Sequence, residues 1–199
     1  MQLFINNASP YSRVVRIVAL EKGLSHEVQL VWSDPWSNEP ALMANNPASR
    51  VPALVTEDGV SITESLMIAY YLDSLSNHVR LLPQENLPHA LHLIGLGQGL
   101  MEAAFNNVIV KRFDGAAGDD TFFGRRREEV IRRTLIALDA DVREGPQDLF
   151  TLGEIVVGVA LAYIDFRMRD NNWRGKFPSL VDLLERVSLR ESFNLTAFG

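Results

Sequence analysis

Cysteine does not occur among the 199 residues. Its absence excludes disulfides, thiolate metal sites and any cysteine nucleophile. Positive charge is also scarce. Nineteen Lys and Arg stand against 25 Asp and Glu, a net charge of −6, and no basic tail is visible. That argues against nucleic acid or an anionic membrane as the main partner. The four histidines, His26, His78, His89 and His92, have no metal-ligand spacing, so no metal is expected. The N-terminal stretch MQLFINNASP has neither a basic start nor a long apolar core, so it does not read as a signal peptide. The most apolar run, Ile155 to Ile164, is too short to cross a bilayer. A cytoplasmic location is the resulting expectation. What is present, 47% hydrophobic and 22% charged residues, suits a globular chain with a real core and room for one large or two small domains.

The first eighty residues alternate strand and helix signals. Gln2 to Ile5 reads as a strand ended by Asn6-Asn7. Ser9-Pro10 has the form of a helix start, a capping hydroxyl followed by proline, and Gly23 ends that helix. His26 to Val31 alternates as a second strand. A proline-rich stretch, Ser33 to Pro47, holds a short helix over Glu39 to Ala44. Pro52 to Thr56 and Val60 to Ile62 form a hairpin around Glu57-Asp58-Gly59, and Glu64 to Leu75 is helical. The order is βαβ, then αββα, a small mixed sheet with helices on both faces. Leu81-Leu82-Pro83 and Pro88 mark a linker, after which strand patterns cease. Long helices are expected over Leu91 to Arg112 (Leu91, Ile94, Met101, Phe105 and Val108 on one stripe) and over Thr121 to Glu144, flanking a glycine-rich turn at Asp114 to Asp120. In the second of these helices Ile131, Leu135, Leu138 and Val142 face inward, and Gly145-Pro146 stops it. Thr151 to Arg169 is apolar on all sides and reads as a buried central helix, opened by the capping box Thr151-Leu-Gly-Glu154. Shorter helices follow at Pro178 to Arg186 and Leu189 to Leu195. The expected fold is a two-domain α+β chain, residues 1–78 and an all-α bundle over 86–199.

Three segments could carry chemistry, and each also has a structural reading. Val51-Pro52 begins a strand. A trans proline there needs no function, whereas a cis bond would turn the Val51 N–H and C=O toward an extended ligand backbone. Glu64-Ser65 opens a helix. Ser61 or Thr63 could cap that helix, with Glu64 favourable at its positive end. Alternatively, Ser65 and the free N–H groups could hold a ligand carboxylate while Glu64 holds an ammonium. Ser9 is an N-cap by pattern, yet it follows the first strand of a βαβ unit, where ligands bind. A hydroxyl there can donate to a thiolate. Gly95, Gly97 and Gly99 weaken one helix and call for close approach of another backbone, between domains or between subunits. Arg125-Arg126-Arg127 followed by Glu128-Glu129 reads as a solvated or interface face.

SPYSRVVRIVALEKGL, NPASRVPALVTEDGVSITES and the Thr-x-x-Glu box, in this order and spacing, resemble the glutathione S-transferase family across the whole chain, including the linker and RESFNLT. The likeness is greatest to bacterial members with serine in the first motif, and extends to plant tau-class enzymes. The resemblance implies a thioredoxin-like N-terminal domain, an all-α C-terminal domain, a homodimer, and glutathione as co-substrate in a detoxification role. It implies a cis Val51-Pro52 bond, Val51 pairing with the cysteinyl backbone, Glu64 and Ser65 holding the γ-glutamyl end, and Ser9 activating the thiol. Asn6 and Asn7 lie close enough to compete with Ser9. Arg50, with Trp32 and Trp36, lies on the loop side expected for the glycyl end. The electrophile pocket is expected between the domains, with Tyr11, Met101, Phe105 and Val108 in its wall, although a core stripe also explains the helix residues. The chain departs from the family at Glu154, where aspartate is usual, and at Gly153, where alanine is common. Both are expected to cost a little stability.

The leading reading is therefore a glutathione transferase that conjugates small hydrophobic electrophiles, with glutathione-dependent peroxide reduction as a related activity. Its rivals are a disulfide-bond reductase using two glutathiones and a non-catalytic interaction protein on the same fold.

Overall fold

A computed structural model describes residues 1–76, 78–115, 121–145 and 149–199. The chain divides into two compact units, Met1–Leu81 with Glu191–Gly199, and Leu82–Arg190.

In the first unit, β1 (Gln2–Ile5) buries Leu3, Phe4 and Ile5, and the helix α1 (Pro10–Glu21) follows. Val14, Val15, Ile17 and Val18 give α1 an apolar face, and proline in its first turn fits the helix start. β2 (Gln29–Trp32) runs parallel to β1, with Phe4 opposite Val31. It begins later than the alternation from His26 suggests, because residues 25–27 form a turn, with Glu27 and Val28 donating backbone bonds to Leu24. The short α2 (Pro40–Asn45) leads to β3 (Ala53–Val55), β4 (Ser61–Thr63) and α3 (Ser65–Leu75). The sheet order is β2-β1-β3-β4, with the last two pairings antiparallel. Buried Lys22, at the end of α1, pairs with Asp73 of α3 at 2.8 Å.

The tail Glu191–Gly199, whose helix α8 spans Glu191–Leu195, groups with this first unit, unlike the boundary expected from sequence. The reason is Arg13. Its buried guanidinium donates to the Phe193 carbonyl at 3.1 Å and to Thr196 Oγ1, and lies over the rings of Phe193 and Phe198. Burial, with a smaller push from Arg16, pulls its pKa down to about 10, so it stays charged at neutral pH.

The second unit is helical: α4 (Leu87–Asp114), α5 (Phe122–Glu144), α6 (Leu152–Arg167) and α7 (Pro178–Ser188). Pro88, expected in a linker, lies instead in the first turn of α4, where proline is tolerated. In α5, Ile131, Leu135, Leu138 and Val142 are all buried, as their spacing predicts. In α6 the core runs almost unbroken from Leu152 to Ile164. Its capping box is complete: Thr151 N–H donates to Glu154 Oε2 at 2.8 Å, and Gly153 N–H donates to Thr151 Oγ1 at 3.1 Å. The expected glycine turn falls largely on 116–120, and Pro146 is likewise outside the described residues.

The seam of α4 differs from the expected stripe. Leu91 is exposed, while Ala90, Ile94, Gly97, Met101 and Ala104 are buried. The small residues sit where α6 comes close. A Cβ at Gly97 would lie 3.0 Å from the Val157 nitrogen, and one at Gly153 would lie 2.8 Å from Leu93 Cβ. Gly97 thus has its close neighbour inside this unit rather than in another domain or subunit, whereas Gly95 and Gly99 have open space around them. Gly153 likewise fits the crossing and is no weakness. By length and composition alone α4, with the turn before it, could cross a membrane, yet its seam is packed against α5 and α6.

Two alanine substitutions should therefore act in opposite directions. Gly153→Ala is expected to cost about 1–3 kcal/mol through overpacking, and Gly95→Ala to gain up to about 1 kcal/mol of helix propensity. Urea unfolding of both variants checks this, and a stabilising Gly153→Ala would refute the close crossing.

Candidate functional site

Strand register brings the sequence-predicted residues of the first unit to one end of the sheet. β1 runs toward Ser9. β3, antiparallel to it, begins at that same end, with Ala53 opposite Phe4. β4 returns there, with Thr63 opposite Ala53, and hands over to Glu64 and Ser65. β2, parallel to β1, ends there as well, at Trp32 and Ser33. Asn6–Ser9, Ser33, Arg50–Pro52 and Glu64–Ser65 therefore share one sheet end.

Ser9 is the N-cap of α1. It is buried, and its Oγ accepts from Ser12 N–H at 3.2 Å. That bond uses a lone pair and leaves the hydroxyl proton to donate. The two asparagines that could compete make side-chain bonds of their own. Asn6 accepts from Ala8 N–H at 3.0 Å and donates to the Ser33 carbonyl at 3.3 Å. Asn7 Oδ1 accepts from Arg16 at 3.1 Å.

The Val51–Pro52 peptide is cis. β3 starts only at Ala53, so the Val51 N–H and C=O enter none of the sheet pairings, nor the turn and loop backbone bonds of the described residues. The preceding loop is braced: Asn46 Nδ2 donates to the Arg50 carbonyl at 2.9 Å, and Ser49 Oγ donates to the Pro35 carbonyl at 3.1 Å. The Arg50 side chain is exposed, as are Trp32 and Trp36.

At α3 the expected capping hydroxyls play no part. Ser61 Oγ donates to Asn45 Oδ1 at 2.8 Å, the N-cap position falls to Glu64, and no side chain caps the helix. The first N–H groups of α3 are left for water or a ligand anion. Ser65 is buried beside them and Glu64 is exposed. Glu64 has φ 67°, ψ 128°, a conformation that non-glycine residues seldom hold, and such outliers gather at ligand sites.

Sequence reasoning missed Ser33. Its Oγ is buried without a partner at the same sheet end, and a β2 read as parallel to β1 would have placed it there. Of the residues suggested for an electrophile wall, Tyr11 is partly buried in the first turn of α1, and Phe105 and Val108 are partly buried on α4. Met101 is fully buried, which removes it from any open wall: it is a core residue of α4. Among the described residues no group of three or more His, Cys, Asp or Glu is placed to hold a metal.

The chain is similar to known proteins at three levels. A family model described as "Glutathione S-transferase, N-terminal domain" matches residues 8–75. An uncharacterised glutathione-S-transferase-like protein of Escherichia coli K12, YibF, is 30% identical over 98% of each chain. A glutathione transferase family member of Pseudomonas fluorescens Pf-5, solved with bound glutathione, is 30% identical and superposes with a TM-score of 0.91 over 100% of this chain and 98% of its own. A glutathione S-transferase of Methylobacillus flagellatus KT, also solved with glutathione, is 28% identical with a TM-score of 0.90 over 98% of each chain.

The backbone strain at Glu64 can be separated from its charge. Glu64→Gly and Glu64→Ala both remove the carboxylate, but only glycine relieves the positive φ. The glycine variant should be the more stable of the two by about 1 kcal/mol in urea unfolding; equal stabilities would mean that the conformation carries no strain.

Proposed function

The chain belongs to the glutathione S-transferase family, and from that premise we propose that it binds glutathione along the end of the sheet and transfers its thiolate to small hydrophobic electrophiles. The convergence of Ser9, the unpaired Val51 backbone and the uncapped start of α3 is the observation that carries this reading. Neighbouring strands lie about 4.8 Å apart, so β1 to β4 spans roughly 10 Å, about the reach of an extended tripeptide. Along that line the groups match in order. Ser9 meets the thiol, the Val51 N–H and C=O meet the cysteinyl backbone, Ser65 and the α3 N–H groups meet the γ-glutamyl carboxylate, and Glu64 meets its ammonium. Arg50 is the counter-charge assigned to the glycyl carboxylate.

Ser9 acts as a donor and need not be deprotonated. A free thiol has a pKa of about 8.5, and lowering it by about 2 units requires roughly 2.7 kcal/mol of preference for the anion. A hydrogen bond to a charged acceptor supplies about 1.5–3 kcal/mol, and a helix N-terminus about 0.3–1 kcal/mol more. The thiolate then attacks the electrophilic carbon, a C–S bond forms, and the leaving group departs with its electron pair. The thiol proton has already gone to solvent. Conjugation is favoured over disulfide-bond reduction through an enzyme cysteine because the chain has none. Exposed Val60, Met67 and Tyr70 in the first unit and Leu91 in the second support assembly as a homodimer, and a cytoplasmic detoxification role fits the family.

Glutathione should give saturable heat in calorimetry at or below millimolar concentration; no heat and no saturation would overturn the proposal. Ser9→Ala should keep glutathione affinity within a few-fold and lower kcat by about 10- to 100-fold, the loss of one charged hydrogen bond. The rising limb of its pH–rate profile should move upward by about 1–2 units. Unchanged turnover would transfer the role to Asn6 or Asn7. Faster turnover of 2-hydroxyethyl disulfide than of an aromatic halide would replace conjugation with glutathione-dependent disulfide reduction.

A further inference from the structure

Ser9, Arg13 and Arg16 stand four and three residues apart, so they share one face of α1. The backbone follows the same line, since Arg13 N–H donates to the Ser9 carbonyl at 3.1 Å. Against this face lies the end of α8. A helix leaves its last carbonyls without partners of its own, and here each of them is met. Thr196 Oγ1 donates to the Ser192 carbonyl at 2.7 Å, and Ala197 N–H donates to that of Asn194 at 3.3 Å. The other two donors come from α1: Arg13 reaches the Phe193 carbonyl, and Arg16 reaches that of Leu195 at 3.2 Å. Two cations thus sit at the negative end of α8. The start of α8 is held too, by Ser192 Oγ donating to Glu21 Oε1 at 2.5 Å.

The side chain of Arg13 serves the tail alone. Arg16 does more. One of its terminal nitrogens donates to Leu195, the other donates to Asn7 Oδ1 at 3.1 Å, and its guanidinium lies 5.6 Å from the centre of the exposed Trp32 ring. Asn7 is an exposed residue of the loop between β1 and α1, two positions before Ser9. The residues on either side of it are tied down within the loop and to α1: Asn6 N–H donates to Ser12 Oγ at 3.3 Å, and Ala8 N–H donates to Asn6 Oδ1 at 3.0 Å. Among the described residues, the bond from Arg16 is the one hydrogen bond that the Asn7 side chain makes. A planar guanidinium with both terminal nitrogens engaged holds its two acceptors in a fixed relation.

We propose that Arg16 is a positioning residue for the thiol chemistry: it clamps the Asn7 side chain to the Leu195 carbonyl and so fixes the loop that presents Ser9. Residues 191–199 then serve the thiol site at one remove. The inference rests on the role of Ser9 proposed above. A hydroxyl stabilises a thiolate only while it is held at hydrogen-bonding distance and angle, and a displacement of about 1 Å is enough to cost on the order of 100-fold in rate. Releasing Asn7 loosens the segment that aims Ser9.

The test titrates the thiol of bound glutathione by the ultraviolet absorbance of its thiolate, with kcat for an aromatic halide measured alongside. Arg16→Met should raise the pKa of the bound thiol by about 0.5–1 unit and lower kcat by about 3- to 10-fold. The glutathione Kd from calorimetry should stay within about threefold of the unmodified chain. A residue that only stabilises the fold would lower Tm and leave the bound thiol as it was, and that outcome overturns the clamp. Arg16→Lys keeps the charge but loses the planar fork, so it should recover little of the shift; full recovery would make the effect one of charge and overturn the clamp as well. Asn7→Ala should reproduce the shift with the tail contacts intact, and the double variant should shift no further than either single one. Additive shifts would separate Asn7 from Arg16 and refute the bridge. If Arg16→Met does not fold, the exposed Asn7→Ala decides, and an unshifted thiol there refutes the bridge. Absence of glutathione binding by the unmodified chain, or an unshifted thiol in Ser9→Ala, would remove the reading of Ser9 and the clamp with it. A thiol that responds to Ser9→Ala but not to Arg16→Met or Asn7→Ala overturns the clamp alone.

Discussion

The pairing of Phe4 with Ala53 sets where every group of the sheet-end site falls. β1 must run toward Ser9, and β3 must start where β1 stops. Only then does the unpaired Val51 backbone lie beside the head of α1. A one-residue slip would reverse the faces of the whole strand, sending Leu3 and Leu54 to the wrong side of the sheet. Both are fully buried, so hydrophobic burial enforces the register that the chemistry needs. The hairpin to β4 carries the same constraint one strand further, to Glu64 and Ser65. The site is thus positioned by core residues that touch no ligand.

The helical unit solves a different problem. α6 is buried on nearly all sides, so its neighbours must come close, and Gly97 and Gly153 supply the space. Toward the other end of the same bundle, near Asn107 and Trp173, packing gives way to a cavity with a charged mouth. Close packing is the rule for protein interiors. A bundle that is tight at one level and open at another has its voids distributed unevenly.

Much of this was legible in the residues. Ser9-Pro10, the Glu57-Asp58-Gly59 turn and the Thr151–Glu154 box each carry local signals, because caps and turns are decided within a few residues. The inward face of α5 was readable because its large apolar residues keep helical spacing. The seam of α4 was not, since it is built from Ala90, Gly97 and Ala104, and weighting apolar residues by size points instead to exposed Leu91. Glu64 as N-cap was hidden behind better capping residues, Ser61 and Thr63, one of which bonds to Asn45 instead. Ser33 and the cavity depend on tertiary placement, which no local pattern encodes. The same holds for Arg13, whose partners lie about 180 residues away.

That last contact has a consequence for biosynthesis. Domains emerging from a ribosome usually fold in order of appearance, the first one early. Here the sheet unit includes residues 191–199, so the buried Arg13 guanidinium has neither its carbonyl nor its aromatic partners until those residues clear the exit tunnel. The sheet unit thus begins before the helical unit and is completed after it, and α1, with Ser9 at its head, waits on residues 191–199 for its last partners.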